Sequence, residues 1–288
     1  MLQSLIVIGS EITLALYPIL IKVVPTTLLT QIVSRFLVYT VLGAVFAGSL
    51  GGGVSKIADT LLSAEGFSRS AVISSLNLAH VFTSYTAFTE LSAGSAMTLF
   101  YTYPIWILLA SALFYGEKFT AAHLGLVALA FAGTILVAQD TKEGFQDKGN
   151  WKGILAALGA ALTEAGIYFA VKSSERANPF VAVLELYAVG LVGLLGYAFT
   201  QKESIDTRLS SWTPLVLFNA IVGFIGYCLR FYAIPRIPTA VFSILSFVGV
   251  VASFSWGRIF VNEVPTLKTL IGAGLITTAA GASVFMND

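Results

Sequence analysis

The chain has 288 residues, of which 57% are hydrophobic and only 11% are charged, and its mean hydropathy is +0.86. A soluble globular domain carries roughly twice that share of charged residues, so the composition excludes such a domain and indicates a protein that lies in a bilayer. The net charge is +1 without any basic block, which excludes nucleic acid as a partner, and the single cysteine excludes an intramolecular disulfide.

Ten apolar runs follow one another along the chain. Each is close to the length of about 20 residues that an α-helix needs to cross about 30 Å of hydrocarbon. We predict that each is a transmembrane helix, because lipid offers the backbone no partners. The first run has no basic residue before it and no small-residue cleavage site after it, so it is not a signal peptide. The runs are residues 2–22, 27–49, 70–90, 93–116, 120–139, 151–172, 179–201, 212–232, 239–262 and 266–286.

Most connections between the runs are short, which predicts antiparallel neighbours. Between residues 49 and 69, a triple-glycine break precedes apolar residues at helical spacing, and this pattern fits either a short interfacial helix or a plain loop. Residues 140–150 are polar and lie at the midpoint of the chain. We interpret them as a linker between two units, residues 1–139 and 151–288.

The sequence of the third to fifth runs recurs in the eighth to tenth. Placing Ala87 over Ala233 also places Glu117 over Glu263, and the offset is the same for further pairs. Such a repeat indicates two copies of one unit. Each unit has five helices, an odd number, so the second unit enters the membrane from the opposite side. The predicted fold is an all-α integral membrane protein, with ten transmembrane helices in two inverted five-helix repeats, as in alternating-access carriers.

These repeated residues also resemble the EamA-type unit of the drug/metabolite transporter (DMT) superfamily. The similar features are the segment A-x-x-x-x-S-A-G-x-A that begins at Ala87, the proline-containing helix and Gly116-Glu117-Lys118 after it, and a lysine, Lys22 or Lys172, that ends the first helix of each half. The sequence departs from the family at Leu14, Val250 and Asn262-Glu263. The departures leave the substrate open.

The resemblance implies a ten-helix carrier of small polar or amphipathic metabolites, with a central cavity between the halves. It also implies a plasma-membrane protein with both termini in the cytoplasm. The distribution of lysines and arginines among the loops does not decide the orientation by itself. The expected partners are the lipid bilayer and a small solute, with protons as a further possibility, and the carrier is expected to be a monomer. Gly116-Glu117 and the glycine-spaced fifth helix are expected to hold each half together.

Ionisable residues deep in the membrane are candidates for function, because each costs roughly 2.5 to 3.5 kcal/mol at the bilayer centre on insertion scales. Glu164 lies near the middle of the sixth run, and helical spacing puts Tyr168 on the same face. Glu11 lies near the middle of the first run. The residues that we predict for substrate binding or coupling are Glu11, Tyr17, Arg35, Asn77, His80, Tyr101, Glu164, Tyr168, Glu185 and Tyr227.

Structural roles compete with several of these assignments. Arg35 fits equally well as a structural ion-pair partner of Glu11. For Glu185, function and structure are balanced, because it lies closer to the membrane boundary. His80 is better interpreted as a hydrogen-bonded interior histidine than as a proton relay, and any single aromatic residue is better interpreted as packing. For Glu164 the functional role is favoured, since its depth leaves no short route to water.

The deep acids Glu11, Glu164 and Glu185 outnumber Arg35, the one deep base, because Arg230 lies nearer a helix end. An interior with surplus acid either holds protons or receives cations, and aromatic faces attract ammonium groups. The sequence therefore predicts a secondary transporter for an amine-bearing, zwitterionic or cationic metabolite. Glu164 is its principal counter-charge, or alternatively the residue that exchanges a proton for the substrate.

Two other readings stay open. An exchanger of phosphorylated sugars or nucleotide sugars would need several converging lysines or arginines, and a structural or receptor protein would need no motif. An enzyme is disfavoured, because His80 and His123 lack metal-ligand spacing and no nucleophile elbow or phosphate-binding loop occurs. No cofactor is expected.

Overall fold

A computed structural model describes residues 1–91, 93–138, 150–173, 178–261 and 266–285. These residues form helices joined by short turns, and no strand occurs among them. Except for Asn150, the predicted linker lies outside the described residues, as do Asn262 and Glu263.

The helices of the first half include a short one, α4, in the region where the sequence allowed a helix or a loop. They are α1 (Leu2–Leu14), α2 (Tyr17–Val23), α3 (Leu28–Leu50), α4 (Gly53–Leu62), α5 (Ala64–Glu90), α6 (Ala93–Phe100), α7 (Tyr103–Tyr115) and α8 (Ala121–Ala138). The helices of the second half are α9 (Trp151–Lys172), α10 (Pro179–Gln201), α11 (Leu209–Leu217), the π-helical segment Phe218–Gly223, α12 (Phe224–Ala233), the 3-10 turn Ile234–Arg236, α13 (Thr239–Ser246), α14 (Val248–Val261) and α15 (Leu267–Phe285).

Helical structure lies over every apolar run that the sequence predicts. By length and composition, seven stretches of the described residues are able to cross a membrane, so the chain is an all-helical multi-pass membrane protein. Helix α5 is long but more polar, because it turns residues such as Asn77 and His80 into the protein interior. The seven stretches are Leu2–Ile21, Leu28–Leu50, Trp151–Lys172, Pro179–Gln201, Leu209–Arg236, Thr239–Phe260 and Leu267–Phe285.

Several of the ten predicted apolar runs are interrupted part-way along their length. The first breaks between α1 and α2, and the fourth between α6 and α7. Pro18 and Pro104 lie in the first turn of the helix that follows each break, where a missing N–H costs no intrahelical bond. The ninth breaks at Phe247, the repeat position of Tyr101, although Val250 replaces the proline there. Since the break recurs without proline, proline alone does not cause it.

The two halves are interleaved rather than placed side by side. Helix α3 packs on α10, α5 on α9 and α10, α1 on α12, and α8 along α15. Each of these pairs joins an element before residue 139 to one after residue 150, and one apolar core cluster extends through both halves. The most extensive packing surfaces therefore lie between the two halves.

Helices α8 and α15 approach each other at glycines. A Cβ atom at Gly133 would lie 2.6 Å from the carbonyl oxygen of Gly272 and 2.9 Å from the Ile276 side chain. Small residues allow helix backbones to come this close in a membrane. The expectation that the glycine-spaced fifth helix holds its own half together is therefore corrected, because the main packing partner of α8 belongs to the other half.

Candidate functional site

Two acids and an arginine meet between the halves. Arg230 Nη1 on α12 lies 2.5 Å from Glu11 Oε1 on α1, and Arg230 Nη2 lies 2.6 Å from Glu164 Oε1 on α9. All three side chains are buried, at most 4% exposed. Because a buried charge is costly unless it is paired, each carboxylate depends on this one guanidinium. Together with His80, these residues form what we call the central cluster.

His80 of α5 completes the cluster. Its Nδ1 lies 3.1 Å from the carbonyl oxygen of Ala160, and a carbonyl only accepts, so we assign the neutral ring's proton to Nδ1. The other ring nitrogen, Nε2, lies 3.3 Å from Glu164 Oε2. Two lone pairs at that distance repel each other, so a proton on either Nε2 or the Glu164 carboxylate would be needed to make this contact favourable. The contact between Nε2 and Oε2 is therefore a hydrogen bond only when one of the two atoms carries a proton.

The central cluster retains unused hydrogen-bonding capacity. Glu164 Oε2, Arg230 Nε and Arg230 Nη2 are buried and make no aligned hydrogen bond to the described residues, although the ion contacts are close. Tyr103 Oη donates to Glu11 Oε1 only at 3.5 Å. Buried polar atoms of this kind carry a desolvation penalty until a partner arrives. The arrangement is consequently suited to accept another polar group.

A small cavity lies against the cluster. Its volume is about 50 Å³, far below the roughly 300 to 1,000 Å³ of small-molecule pockets, so an organic solute cannot occupy it until helices move. Gly249 of α14 forms part of its surroundings: a Cβ there would overlap the Tyr101 hydroxyl and lie 3.1 Å from Glu11 Oε2. The predicted site residues that line the cavity are Glu11, Tyr17, Arg35, His80, Tyr101, Glu164 and Tyr227.

Arg35 lies at the same cavity inside a cage of tyrosines. Its guanidinium carbon is 4.6 Å from the ring centroid of Tyr17 and 4.8 Å from that of Tyr227. Its Nε and Nη2 donate to Tyr187 Oη at 3.2 and 2.8 Å. Three rings lie 5.6 to 5.9 Å away, those of Tyr39, Tyr85 and Tyr187.

The cage corrects the alternative role considered for Arg35. Among the described residues no carboxylate forms a salt bridge with it, and Arg230 occupies the position beside Glu11 where Arg35 was considered. The tyrosine hydroxyls are themselves connected, since Tyr17 Oη lies 2.5 Å from Tyr39 Oη. Arg35 is thus surrounded by neutral, polarisable groups.

Three predicted site residues lie away from the cavity lining. Asn77 donates to the Leu186 carbonyl at 3.0 Å and so ties α5 to α10. Glu185 Oε1 lies 3.4 Å from Nε of Arg69, whose side chain is 33% exposed. Tyr168 Oη donates to Thr239 Oγ1 at 3.1 Å. The four-residue spacing from Glu164 therefore gave Tyr168 a shared helix face but not a shared site.

Tyr168 belongs instead to a second polar group, which we call the end cluster: Glu117, Tyr168, Lys172 and Thr239. Lys172 Nζ donates to Thr239 Oγ1 at 2.6 Å and lies 3.9 Å from Glu117 Oε1. Thr239 Oγ1 also donates to Glu117 Oε1 at 3.0 Å. Glu117 thus contacts residues of the other half, which corrects the expectation that Gly116-Glu117 holds its own half together.

Arg230 is the site residue that sequence reasoning placed wrongly. The sequence predicts a position near a helix end, because the eighth apolar run ends at Tyr232. The helical stretch continues to Arg236, and Arg230 is 4% exposed. Two acids at mid-membrane depth already required a base, and that requirement was the available signal. With Arg230 included, the expected surplus of buried acid around the cavity disappears, because Arg35 and Arg230 balance Glu11 and Glu164.

No group of three or more histidine, cysteine, aspartate or glutamate residues in the described part of the chain is arranged to hold a metal ion. The ionisable groups of the central cluster pair with each other instead. The arrangement therefore places a buried set of paired charges between the two halves of a membrane protein.

Comparisons with known proteins agree with this architecture. The profile of the EamA-like transporter family matches residues 151–285. The pseudopaline exporter CntI of Pseudomonas aeruginosa is 24% identical over 196 residues, which cover 68% of this chain and 67% of the relative. The probable terminal-alkyne amino-acid exporter of Streptantibioticus cattleyicolor is 27% identical over 256 residues, 84% of this chain and 79% of the relative.

An uncharacterized transporter of Archaeoglobus fulgidus is 24% identical over 188 residues, 65% of this chain and 66% of the relative. One solved crystal structure superimposes with a TM-score of 0.76, covering 99% of this chain and 96% of its own, at 21% sequence identity. At that identity the similarity shows a common fold alone.

Proposed function

Because the chain belongs to the DMT superfamily, with its EamA-like match at residues 151–285, we propose that it is a secondary transporter of a small amine-bearing, zwitterionic or cationic metabolite. It is a transporter rather than an enzyme, and a multi-pass protein of the plasma membrane. The substrate class and the mechanism of movement are the proposed parts.

The observation that carries the proposal is the buried pairing of two carboxylates with a single guanidinium. With both acids ionised, Glu11, Glu164 and Arg230 carry a net charge of −1, and Glu164 Oε2 has no aligned hydrogen bond. An ammonium group that entered the cavity would supply the missing donor and the missing positive charge. Glu164 is the residue best placed to receive it.

Alternating access is the proposed mechanism of movement, with residues 1–139 and 151–288 as two inverted repeats of five spans each. The packing pattern supports it, since α1 packs on α12 as α9 packs on α5, and α13 and α14 pack on α1 as α6 and α7 pack on α9. Interchanging the two halves in this description turns each packing pair into its counterpart. Two similar units can therefore pack in two equivalent ways, each open to one side.

Export is the direction that we propose. Two relatives are named as exporters, one of pseudopaline and one of a terminal-alkyne amino acid. Both names refer to those proteins, at 24% and 27% identity. They support export of an organic metabolite by this chain, and the second name supports a solute that bears an amino group.

Exchange of phosphorylated anions is the second candidate, and the burial of Arg230 gives it more weight than the sequence did. Two arginines, Arg35 and Arg230, line the cavity. Arg230 is already paired with two carboxylates, however, and a phosphate dianion beside Glu11 and Glu164 would be repelled. Strong thermal stabilisation by phosphorylated compounds, with none by amines or amino acids, would reverse this order.

Glu164→Gln tests the proposal in proteoliposomes loaded for counterflow of radiolabelled amines and amino acids. We expect at least a tenfold loss of flux, because the amide removes the negative charge while Arg230 keeps its pairing with Glu11. The matched control is Glu90→Gln, since Glu90 is partly exposed and pairs with Lys152 at the surface. Undiminished flux in a Glu164→Gln protein that elutes normally in detergent would refute the role of Glu164.

Proton coupling is tested separately by imposing a pH gradient on the same vesicles. The contact between His80 Nε2 and Glu164 Oε2 provides a site where a proton could be exchanged for the solute. A coupled transporter would accumulate solute against its gradient when the proton gradient is applied. Flux that ignores the proton gradient would indicate exchange or uniport instead.

A further inference from the structure

A second hollow, an open groove of about 470 Å³, lies apart from the central cavity, between the start of α5 and the end of α9. Its volume falls within the roughly 300 to 1,000 Å³ of small-molecule pockets, so it has room for a ligand without any movement of helices. Five of its lining residues share one face of α5 and the sixth belongs to α9. They are Glu65, Ser68, Arg69, Val72, Ile73 and Ala170.

Arg69 is the cation of this groove, and Glu185 positions it from the protein interior. Arg69 Nε lies 3.4 Å from Oε1 of the buried Glu185, and Arg69 Nη2 donates to the Ala170 carbonyl at 3.2 Å. The side chain of Arg69 is nevertheless 33% exposed. A guanidinium has five N–H donors, and these two contacts leave several of them unused. Arg69 can therefore donate further hydrogen bonds to an anionic group in the groove.

Glu65 is the anion of the groove. It is exposed, and it forms no ion pair with Arg69 or with any other described residue. It lies in the first turn of α5, where a carboxylate is favourable, and one turn before Arg69, so their Cβ atoms are about 5 to 6 Å apart. The groove thus presents a carboxylate beside a guanidinium. With Glu185 included, these ionised side chains carry a net charge of −1.

The groove begins at the level of the lipid headgroups. Helix α5 has 27 residues, a length of about 40 Å, whereas the hydrocarbon core is about 30 Å thick, so the first few residues of α5 extend beyond it. The preceding helix, α4, exposes Val54 and Leu62, which is typical of a helix at the membrane interface. Val72 lies two turns after Glu65 and is also exposed. The groove therefore leads from the headgroups into the acyl-chain region.

We propose that this groove binds a phospholipid with a zwitterionic ethanolamine headgroup, phosphatidylethanolamine. Its ammonium group contacts Glu65, its phosphate contacts Arg69, and an acyl chain lies along Val72 and Ile73. The two-carbon link between ammonium and phosphate suits side chains that are one helical turn apart. This site is separate from the solute site, and its occupancy does not depend on which solute is carried.

The charges of the groove distinguish this lipid from other phospholipids. Phosphatidylglycerol has no ammonium group for Glu65, and its net negative charge is repelled by the net charge of −1 in the groove. Phosphatidylcholine is zwitterionic, but its quaternary ammonium has no N–H to donate to a carboxylate. The preference for the ethanolamine headgroup therefore depends on Glu65.

Native mass spectrometry of the delipidated full-length protein in detergent tests the proposal. The protein is titrated with phosphatidylethanolamine, phosphatidylcholine and phosphatidylglycerol that carry identical acyl chains. We expect the Kd for the ethanolamine lipid to be about fivefold or more lower than for the other two. Glycerophosphoethanolamine, the same headgroup without acyl chains, should not compete. Competition by it at the concentration of the lipid would identify a site for a soluble ligand and overturn the lipid proposal.

Two substitutions of Glu65 test the source of the preference. Glu65→Gln should raise the Kd for phosphatidylethanolamine to that for phosphatidylcholine. Glu65→Lys should reverse the order, so that phosphatidylglycerol binds most tightly, and a folding defect would not produce such a gain. The matched control is Glu203→Gln, at an exposed glutamate in the loop after α10, which should bind lipids as the wild type does.

The phosphate contact is tested by removing Arg69 and Glu185 together, since Arg69→Gln alone would leave a buried acid unpaired. Arg69→Gln combined with Glu185→Gln should weaken binding of the ethanolamine lipid by about fivefold. The proposal is wrong if the wild type binds either other lipid as tightly, or if both Glu65 variants keep the wild-type order. Neither result bears on the proposed transport, which is measured without these lipids being varied.

Discussion

The central cluster and the end cluster both join the two halves, but they differ in access to water. The acids and the arginine of the central cluster are at most 4% exposed, whereas the side chains of Lys172 and Glu117 in the end cluster are 27% and 35% exposed. Removing one partner costs about 3 to 5 kcal/mol for a buried ion pair but only about 0 to 1 kcal/mol for an exposed one. The same chemistry therefore has different consequences at the two places.

This difference indicates where binding free energy is available. Charges at the surface are already solvated, so a solute gains little by contacting them. Charges in the central cluster lack part of their hydration and part of their hydrogen bonding, so a solute that supplies both gains more. Four changes to the chain test this contrast, from the largest expected effect to the smallest.

Arg230→Gln should have the largest effect. It leaves the Glu11 and Glu164 carboxylates buried without a counter-charge, and we expect a loss of about 3 to 5 kcal/mol in unfolding free energy. Thermal unfolding in detergent measures the effect. Replacing both glutamates by glutamine in the same protein should recover part of the loss. An Arg230→Gln protein as stable as the wild type would contradict the pairing described here.

Gly249→Ala should have the next largest effect. The added Cβ would overlap the Tyr101 hydroxyl and crowd Glu11, and overpacking of this kind costs about 1 to 3 kcal/mol. The control is Gly274→Ala in α15, where a Cβ meets nothing within 4 Å. Flux and thermal midpoint should fall together in the first variant and stay unchanged, or rise slightly, in the second. Equal behaviour of the two would show that Gly249 is not packed against the site.

Lys172→Met should cost less, about 1 kcal/mol or below, because the side chains of Lys172 and Glu117 are partly exposed to water. Lys152→Met is the matched control, since Lys152 forms a surface pair with Glu90. Both variants are compared by thermal unfolding at low and high salt, where screening should reduce the difference from the wild type. If Lys172→Met destabilises as much as Arg230→Gln, the contrast in burial does not decide the energetics.

Asp206→Asn should have the smallest effect. In the loop after α10, hydrogen bonds from Arg208 hold the pKa of Asp206 well below its ordinary value of 3.8. Because the folded-state pKa is depressed, the stabilisation is complete above pH 3.8 and is lost as pH falls below it. The thermal midpoints of variant and wild type should differ slightly at pH 7, and the difference should begin to shrink as the pH falls below 3.8. A gap that widens on acidification would reverse the sign of this linkage.

Much of the helical architecture could be predicted from hydropathy, because lipid forces each long apolar run to become a helix. The depth of Glu11 and Glu164 could also be predicted from their positions in the runs, and both are buried. The position of Arg230 could not, since the end of an apolar run does not mark the end of a helix. Nor could its contacts, which join residues far apart in the sequence and depend on how the halves pack.

Helical spacing similarly predicts which face of a helix a residue lies on. It does not predict which neighbouring residues the side chain meets at its position along the helix axis. Tyr168 follows Glu164 by four residues, about 6 Å along the axis, and that rise is enough to move its hydroxyl from the cavity to Thr239. The tyrosine cage of Arg35 also could not be predicted, because its rings come from helices of both halves. The candidate residues can be predicted from the sequence, but tertiary packing determines which of them meet.

The glycine contact between α8 and α15 constrains the proposed alternating-access movement. With Gly133 against the backbone of Gly272 and the Ile276 side chain beside it, this crossing leaves little room for the helices to slide past each other. The two helices should therefore move as one rigid body, and other helices must move relative to them when the cavity opens. A distance measured between labels on these two helices would then stay constant through the transport cycle. The pair therefore provides a fixed reference for measuring motion elsewhere in the protein.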